Sequence, residues 1–296
     1  MLPYLEGGYD LHVHSGPDVP ERRFDDLEIS RRYMEAGFSG YCIKSHYFCT
    51  AERARLINKL YPGFHAVGAV SLNHTVGGLN PCAVDTAGRD GAKLLWFPTF
   101  DAENEIDFTF GDRCTYDTLP AWARLMQERR EAGETVRGIT VLEDGKLSEA
   151  ARRVIDAAVA RGMVICTGHL GKREIAEVVR ETKKRGCRKV IVTHPCWSSI
   201  GLTKEEQLEL AGMGALMEQC ASNMKPSYGT TWEQMYETIR YVGPENCLIS
   251  SDCGNLAKPY PDEAIGEMAG RLTGHGFSEE EVRRMVVENP REMVEG

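Results

Sequence analysis

Short apolar runs rich in β-branched and aromatic residues alternate with helix-period segments along the whole chain. This is the pattern of successive βα units around a parallel sheet. Eight strands are predicted, near residues 8–14, 40–46, 65–72, 92–98, 163–168, 188–194, 215–219 and 247–252. The segments between them carry helix punctuation. Those at 26–36, 147–161 and 173–185 stop at Gly37, Gly162 and Gly186, as expected where glycine closes a helix in the left-handed conformation. Thr203 with Glu206, Thr230 with Glu233 and Ser278 with Glu281 have the Ser/Thr-x-x-Glu spacing of a capping box.

Eight such units in 296 residues predict an α/β protein of the (β/α)8 TIM-barrel class, a single domain over 1–296. A doubly wound sheet would show fewer strands and a glycine-rich phosphate loop, and no such loop follows the first strand. The irregular stretch is 101–137, acidic and aromatic, with a helix near 119–130 and a short extra strand near 138–142. It reads as an elaborated loop after the fourth strand that forms part of a lid.

Composition narrows the partners. With 35 Lys and Arg against 44 Asp and Glu, the net charge of -9 argues against a nucleic-acid partner, which needs clustered cations. Ten scattered cysteines, none in a Cys-x-x-Cys pair, read as reduced and mostly buried thiols. The amino terminus lacks a basic segment followed by an apolar run, and no stretch approaches the roughly 18 apolar residues of a membrane helix. A cytoplasmic protein acting on a small molecule, without a membrane partner, is expected; a homo-oligomer is left open.

The candidate chemistry gathers at predicted strand ends. His12 and His14 share one face of the first strand and can hold one metal ion together. Lys44 and His46 close the second strand, Asn73 and His74 follow the third, His169 follows the fifth, His194 closes the sixth, Glu218 the seventh and Asp252 the eighth. In a parallel barrel these carboxyl ends meet at one mouth. Six of the eight histidines fall there, whereas His65 and His275 read as structural or exposed. His46 and His74 also fit loop histidines bonded to backbone, and Lys44 and Glu218 fit a simple ion pair. For His12, His14, His169 and Asp252, the convergence of four ligand-type side chains favours a metal.

Asp10-Leu11-His12-Val13-His14, Thr167-Gly168-His169, Val192-Thr193-His194-Pro195 and Ser250-Ser251-Asp252 resemble the corresponding strand ends of the amidohydrolase superfamily of metal-dependent hydrolases. The resemblance runs over nearly the whole chain and includes the final helix, from Ser278 to Pro290. Lys44-Ser45-His46, Gly77-Gly78-Leu79-Asn80-Pro81 and Gly168-His169-Leu170 narrow it to an amidohydrolase-like branch with no settled substrate. The resemblance implies a barrel, with His12, His14 and His169 on a divalent metal and Asp252 as a further ligand or proton-transfer base. It makes His194 a second-metal ligand or a group polarising the substrate. Zinc is the expected ion, with manganese, iron and nickel as the other candidates.

The departure is at the fourth strand. Many two-metal members carry a carboxylated lysine at its end, but this chain reads Trp96-Phe97-Pro98-Thr99, and Lys93 lies near the opposite rim. One ion is therefore expected over two, with Lys44 or Glu143 as substitutes for a bridging ligand.

The expected reaction is hydrolysis of an amide, cyclic amide, amidine or lactone by metal-activated water, with Asp252 taking the proton and His194 and Lys44 stabilising the oxyanion. Arg22, His46, Asn73 and Glu218 are expected around the substrate, Arg22 as a bidentate partner for a carboxylate or else neutralising Asp25, Asp26 and Glu28 with Arg23. The alternatives are metal-dependent decarboxylation, a phosphoesterase and a non-catalytic metal or ligand binder.

Overall fold

The computed structural model describes residues 2–134 and 137–296. It contains β1 (Tyr9–Val13), β2 (Gly40–Ile43), β3 (His65–Ser71), β4 (Ala92–Trp96), β5 (Leu142–Glu143), β6 (Lys146–Leu147), β7 (Val164–Cys166), β8 (Val190–Val192), β9 (Leu216–Cys220) and β10 (Cys247–Ser250). Eight of them pair in parallel in the order β1-β2-β3-β4-β7-β8-β9-β10, with helices in the connections, and β5 and β6 form a separate antiparallel hairpin. This is the (β/α)8 barrel predicted from the alternation of patterns.

The barrel closes between β1 and β10 through one parallel bridge, Val13 to Cys253. Two backbone bonds fasten it, Asp252 N to His12 O at 2.9 Å and His14 N to Cys253 O at 2.8 Å. A buried carboxylate reinforces the same seam. Asp10 accepts from Ser251 N at 3.0 Å, His12 N at 3.1 Å and the Tyr33 hydroxyl at 2.6 Å.

Two packed layers result. Tyr9, Leu11, Val67, Leu94, Trp96 and Leu248 belong to the cluster filling the barrel, while Val13, Leu95, Ile165 and Ile249 pack outward among the helices. Strict alternation from Tyr9 and Leu11 would turn His12 outward. Register against β2 shifts between Asp10 and Val13, and past the shift it is Val13 that packs outward. The irregularity thus re-aims His12 and His14 into the barrel, a common use of a β-bulge.

Several local expectations move. The box before Trp232–Val242 uses Thr231 and Gln234 rather than Thr230 and Glu233; the boxes of Thr203 and Ser278 form as expected. Ile139 makes only an isolated bridge to Ala102, and the extra pairing begins at Leu142. The irregular stretch carries two helices, Glu103–Thr109 and Ala121–Glu131, and its residues 135 and 136 lie outside the described ones. All ten cysteines are free, and five are buried rather than most. Among the described residues no helix is long and apolar enough to cross a membrane.

Asp10 links seam stability to pH. Burial pushes its carboxyl up to about 6, against the bonds from Ser251 and Tyr33. Folded Asp10 therefore holds its proton more tightly than the unfolded chain does, and its contribution is greatest below about pH 4 and declines as pH rises through about 6. Asp10→Ala orphans three buried donors, so denaturant unfolding should show a loss of about 3 kcal/mol and the disappearance of this part of the pH slope. A loss within about 0.5 kcal/mol would mean that Asp10 does not pin the seam.

Candidate metal centre

The closing seam carries the first donors. His12 Nε2 lies 3.1 Å and His14 Nε2 3.4 Å from Asp252 Oδ1, all three residues being buried or nearly so. One ligand atom from each lies within 4.8 Å of the others. Asp252 and His194 are two of only three non-glycine residues with positive φ among the described residues, at 50° and 23°. Such backbone costs about 1–3 kcal/mol and persists where surrounding structure enforces it, commonly at functional sites. Two glycines admit the close packing this needs. A Cβ on Gly254 would lie 1.9 Å from His14 O, and one on Gly168, just before His169, would lie 2.4 Å from Phe97 O.

Each of two histidines is held from behind by a buried glutamate. His12 Nδ1 is 3.2 Å from both oxygens of Glu218, leaving Nε2 toward Asp252. His169 Nδ1 is 3.2 Å from Glu105 Oε2. Carboxylates in this position fix ring orientation and raise ligand basicity. Glu105 also accepts from the Tyr116 hydroxyl at 2.6 Å, from Thr109 Oγ1 at 3.1 Å and from Ser199 Oγ.

Sequence reasoning missed Glu105 because it lies in the irregular stretch. Its available signal was a carboxylate on the apolar face of a short helix, beside Ile106 and Phe108. Glu218, expected at the substrate, instead stands behind His12 and also accepts from His194 N at 3.3 Å.

The His169 and His194 rings are 4.9 Å apart, and His194 stacks 5.8 Å from His12. Lys44 Nζ lies 2.8 Å from His12 Nε2 and 5.1 Å from the Trp96 ring centre. Leu94 and Trp96 are the β4 side chains that enter the barrel, the Trp96 ring 5.6 Å from that of His12, so an indole occupies the interior there and the lysine beside it follows directly on β2. Lys93 is exposed near the start of β4. Glu143 is exposed on the hairpin and does not line the mouth, which removes it as a bridging ligand.

The electrostatics suit a cation. Burial drives His14 and His194 well below the usual histidine range, leaving both imidazoles neutral at pH 7. For Asp252, burial acts upward, but Lys258 and His12 outweigh it and hold the carboxyl well below its ordinary range. At His12, burial and Lys44 act downward and are outweighed by Glu218 and Asp252. Burial lowers Lys44 against the pull of Asp252 and Glu218. The Nδ1 atoms of His14, His169 and His194 are buried without a hydrogen-bond partner among the described residues, that of His169 having only its 3.2 Å ion contact with Glu105. Neutral imidazoles, an ionised carboxylate and orphaned ring nitrogens form a donor set that fits a divalent cation.

Above the donors is a cavity of about 440 Å³ lined by His14, His169, His194, Asp252, Lys44 and Arg22, among others. Thr118 to Trp122 and Arg124 form part of its wall. His46 lines it too, stacked 4.7 Å from His14 with Nδ1 2.8 Å from Thr99 Oγ1.

Asn73 does not line the cavity. Its amide donates to His46 O and Thr99 Oγ1, and its carbonyl accepts from Thr99 N, so it fixes the loops beneath. His74 is spent on Arg137 O at 2.8 Å, outside the mouth. Arg22 pairs with Asp18 rather than with Asp25, Asp26 or Glu28. His65 bonds to Tyr9 and His275 stacks on Tyr236, both as structural histidines.

The family model described as a family of unknown function, DUF6282, matches residues 7–218. No curated protein matches the sequence. Among solved structures, an amidohydrolase from Pseudomonas aeruginosa is 12% identical at a TM-score of 0.64, covering 99% of this chain and 98% of that one. The metallopeptidase dipeptidase AC of family M19 is 13% identical at 0.64, covering 98% of each chain. A putative 2-pyrone-4,6-dicarboxylic acid hydrolase from Pseudomonas putida is 13% identical at 0.59, covering 98% and 97%. These likenesses establish a shared barrel.

The two buried glutamates generate a test of the centre. Glu105→Gln and Glu218→Gln keep shape but remove charge behind His169 and His12, and each should weaken divalent-metal binding about 10–100-fold in equilibrium dialysis. Wild-type affinity in both, with the fold intact by circular dichroism, would show that these histidines are not ligands.

Proposed function

The chain belongs to the family of unknown function DUF6282, and from that premise we propose that it is a metal-dependent hydrolase using activated water on an amide, cyclic amide, amidine or lactone carbon of a small molecule. The observation that carries this reading is the convergence of His12, His14 and Asp252 on one point at the floor of the mouth cavity, with His169 and His194 beside them. The named activities of the structural relatives, an amidohydrolase, a dipeptidase and a hydrolase of a cyclic dicarboxylic acid, lend support.

His12, His14 and Asp252 would hold the ion, with His169, whose ring lies 4.9 Å from that of His194, as the further ligand the family resemblance implies; zinc is the expected ion, and a single ion fits the apolar side chains Leu94 and Trp96 that β4 sends into the barrel. When bound, such a cation supplies Lewis acidity and brings the pKa of water down to roughly 7.

Asp252, kept ionised by Lys258 and His12 despite burial, accepts the proton of the attacking water and returns it to the leaving group. His194, neutral because of its burial, donates an N–H to the oxyanion. Lys44, its Nζ 2.8 Å from His12 Nε2, is the second donor placed to stabilise that oxyanion. Trp197 and Tyr228, stacked at 4.9 Å along the cavity, limit water at the reacting carbon.

A second reading, decarboxylation on the same centre, gains from one observation: Arg22 lines the cavity and can take a carboxylate. Turnover in ¹⁸O-labelled water separates the two, since hydrolysis puts one labelled oxygen into product and decarboxylation puts none there.

Asp252→Asn should lower turnover of a substrate found in an amide and lactone panel by about 10²–10⁴-fold while retaining folded structure. Full turnover in that variant, or product free of label, would overturn the hydrolytic mechanism.

A further inference from the structure

The chain is acidic overall, yet the mouth cavity is cationic. Its lining contains Arg22, Lys44, Arg124, Lys225 and Lys258 against a single carboxylate, Asp252. Lys258 is committed to the wall, donating to Ser222 Oγ at 2.8 Å and Asp252 O at 3.1 Å. Arg124 and Lys225 are exposed and form no ion pair among the described residues. Two positive charges at a cavity rim attract anions and repel cations before any contact forms.

Deeper in the same cavity, Arg22 and Tyr47 are built into one rigid unit. Asp18, whose side chain is 1% exposed, receives Arg22 Nε at 2.9 Å and Nη2 at 2.5 Å. Ser45 Oγ donates to Asp18 at 2.9 Å and accepts from Tyr47 N at 3.0 Å, joining the two loops. Arg22 Nη1 is left without a hydrogen-bond partner among the described residues, and Arg22 lines the cavity. The Tyr47 ring packs 5.3 Å from Phe100, which stacks 6.0 Å from Trp122 of the stretch after β4. Tyr47 is more than nine-tenths buried, and its hydroxyl has no partner among the described residues. An unpaired buried hydroxyl costs about 1–3 kcal/mol unless a ligand satisfies it.

We infer that the substrate is a small carboxylate, its anionic group received by the Arg22 guanidinium and the Tyr47 hydroxyl while Arg124 and Lys225 draw it into the mouth. This rests on the hydrolase reading only for the bond that is broken. Through Arg22 and Tyr47, the Arg22–Asp18–Ser45–Tyr47 unit lines the same cavity as His14 and His46, the Tyr47 ring standing 6.4 Å from that of His46. Its position ties recognition of the carboxylate to the floor where His169 and Asp252 act. Since Asp18 already balances Arg22, that pair supplies direction, while the unpaired rim cations supply long-range attraction.

The test is calorimetric titration with glutarate and, as its neutral counterpart, glutaramide. It is run on protein as purified and again after chelator dialysis, which separates the anchor from any carboxylate affinity of a metal. Glutarate should bind at least about tenfold more tightly than glutaramide in both forms, and less tightly as salt is raised. Tyr47→Phe, which leaves the Asp18 pair intact, should weaken glutarate about tenfold, as should the double variant Arg124→Ala with Lys225→Ala. Arg22→Met should weaken it further, but it also strands buried Asp18, so the other two variants decide the matter.

Equal binding of the diamide, unchanged glutarate affinity in both deciding variants, or tighter binding of inorganic phosphate with the same variant sensitivity would overturn the assignment. Glutarate binding that behaves as expected, without turnover of any carboxylate-bearing amide or lactone, would uphold the anchor and sink the hydrolase reading. Turnover of neutral amides without glutarate binding would do the reverse.

Discussion

Closure of the barrel between β1 and β10 is the constraint on which the remainder of the site depends. The junction is one bridge and two backbone bonds, and the residues making those bonds are His12, His14, Asp252 and Cys253. Three of the four belong to the candidate donor set. Bringing the ends of the sheet together therefore also brings these three donors together. The bulge that turns His12 inward and the left-handed backbone at Asp252 are local costs that the seam enforces.

Around this seam the protein buries charge that an apolar core would avoid. Glu218, Glu105 and Lys44 are at most 1% exposed, and each is satisfied by a specific partner rather than by water. Isolated, such groups would cost several kcal/mol apiece, and removing one partner strands the other. Their arrangement makes sense as orientation: each glutamate fixes a ring whose remaining nitrogen is available to the centre. The stretch after β4 joins the same logic, because its first helix supplies Glu105 and its second packs near Tyr47 through Phe100 and Trp122.

Much of this was legible in the sequence, for a physical reason. Parallel barrels put all carboxyl strand ends at one rim, so placing eight apolar runs was enough to gather His12, His14, Lys44, His46, His169, His194 and Asp252. What pattern could not supply was depth. Asn73 and Glu218 lie at the right strand ends but under or behind the mouth, and only the path of neighbouring loops decides that. Glu105 comes from the stretch where period carries least information, and its partner His169 is remote in sequence. The Asp18–Ser45–Tyr47 link was likewise invisible, because it joins the loops after two different strands through a serine with no motif around it.

Everything proposed for the mouth turns on a single divalent cation held at the β1–β10 seam. Crystals of protein purified without chelators, with anomalous scattering recorded across the zinc absorption edge, locate and count bound metal together. One anomalous peak is expected, about 2.0–2.2 Å from nitrogens of His12 and His14 and an oxygen of Asp252. Two peaks bridged by Lys44, a peak elsewhere, or a fully ordered site with no metal after zinc loading would contradict it.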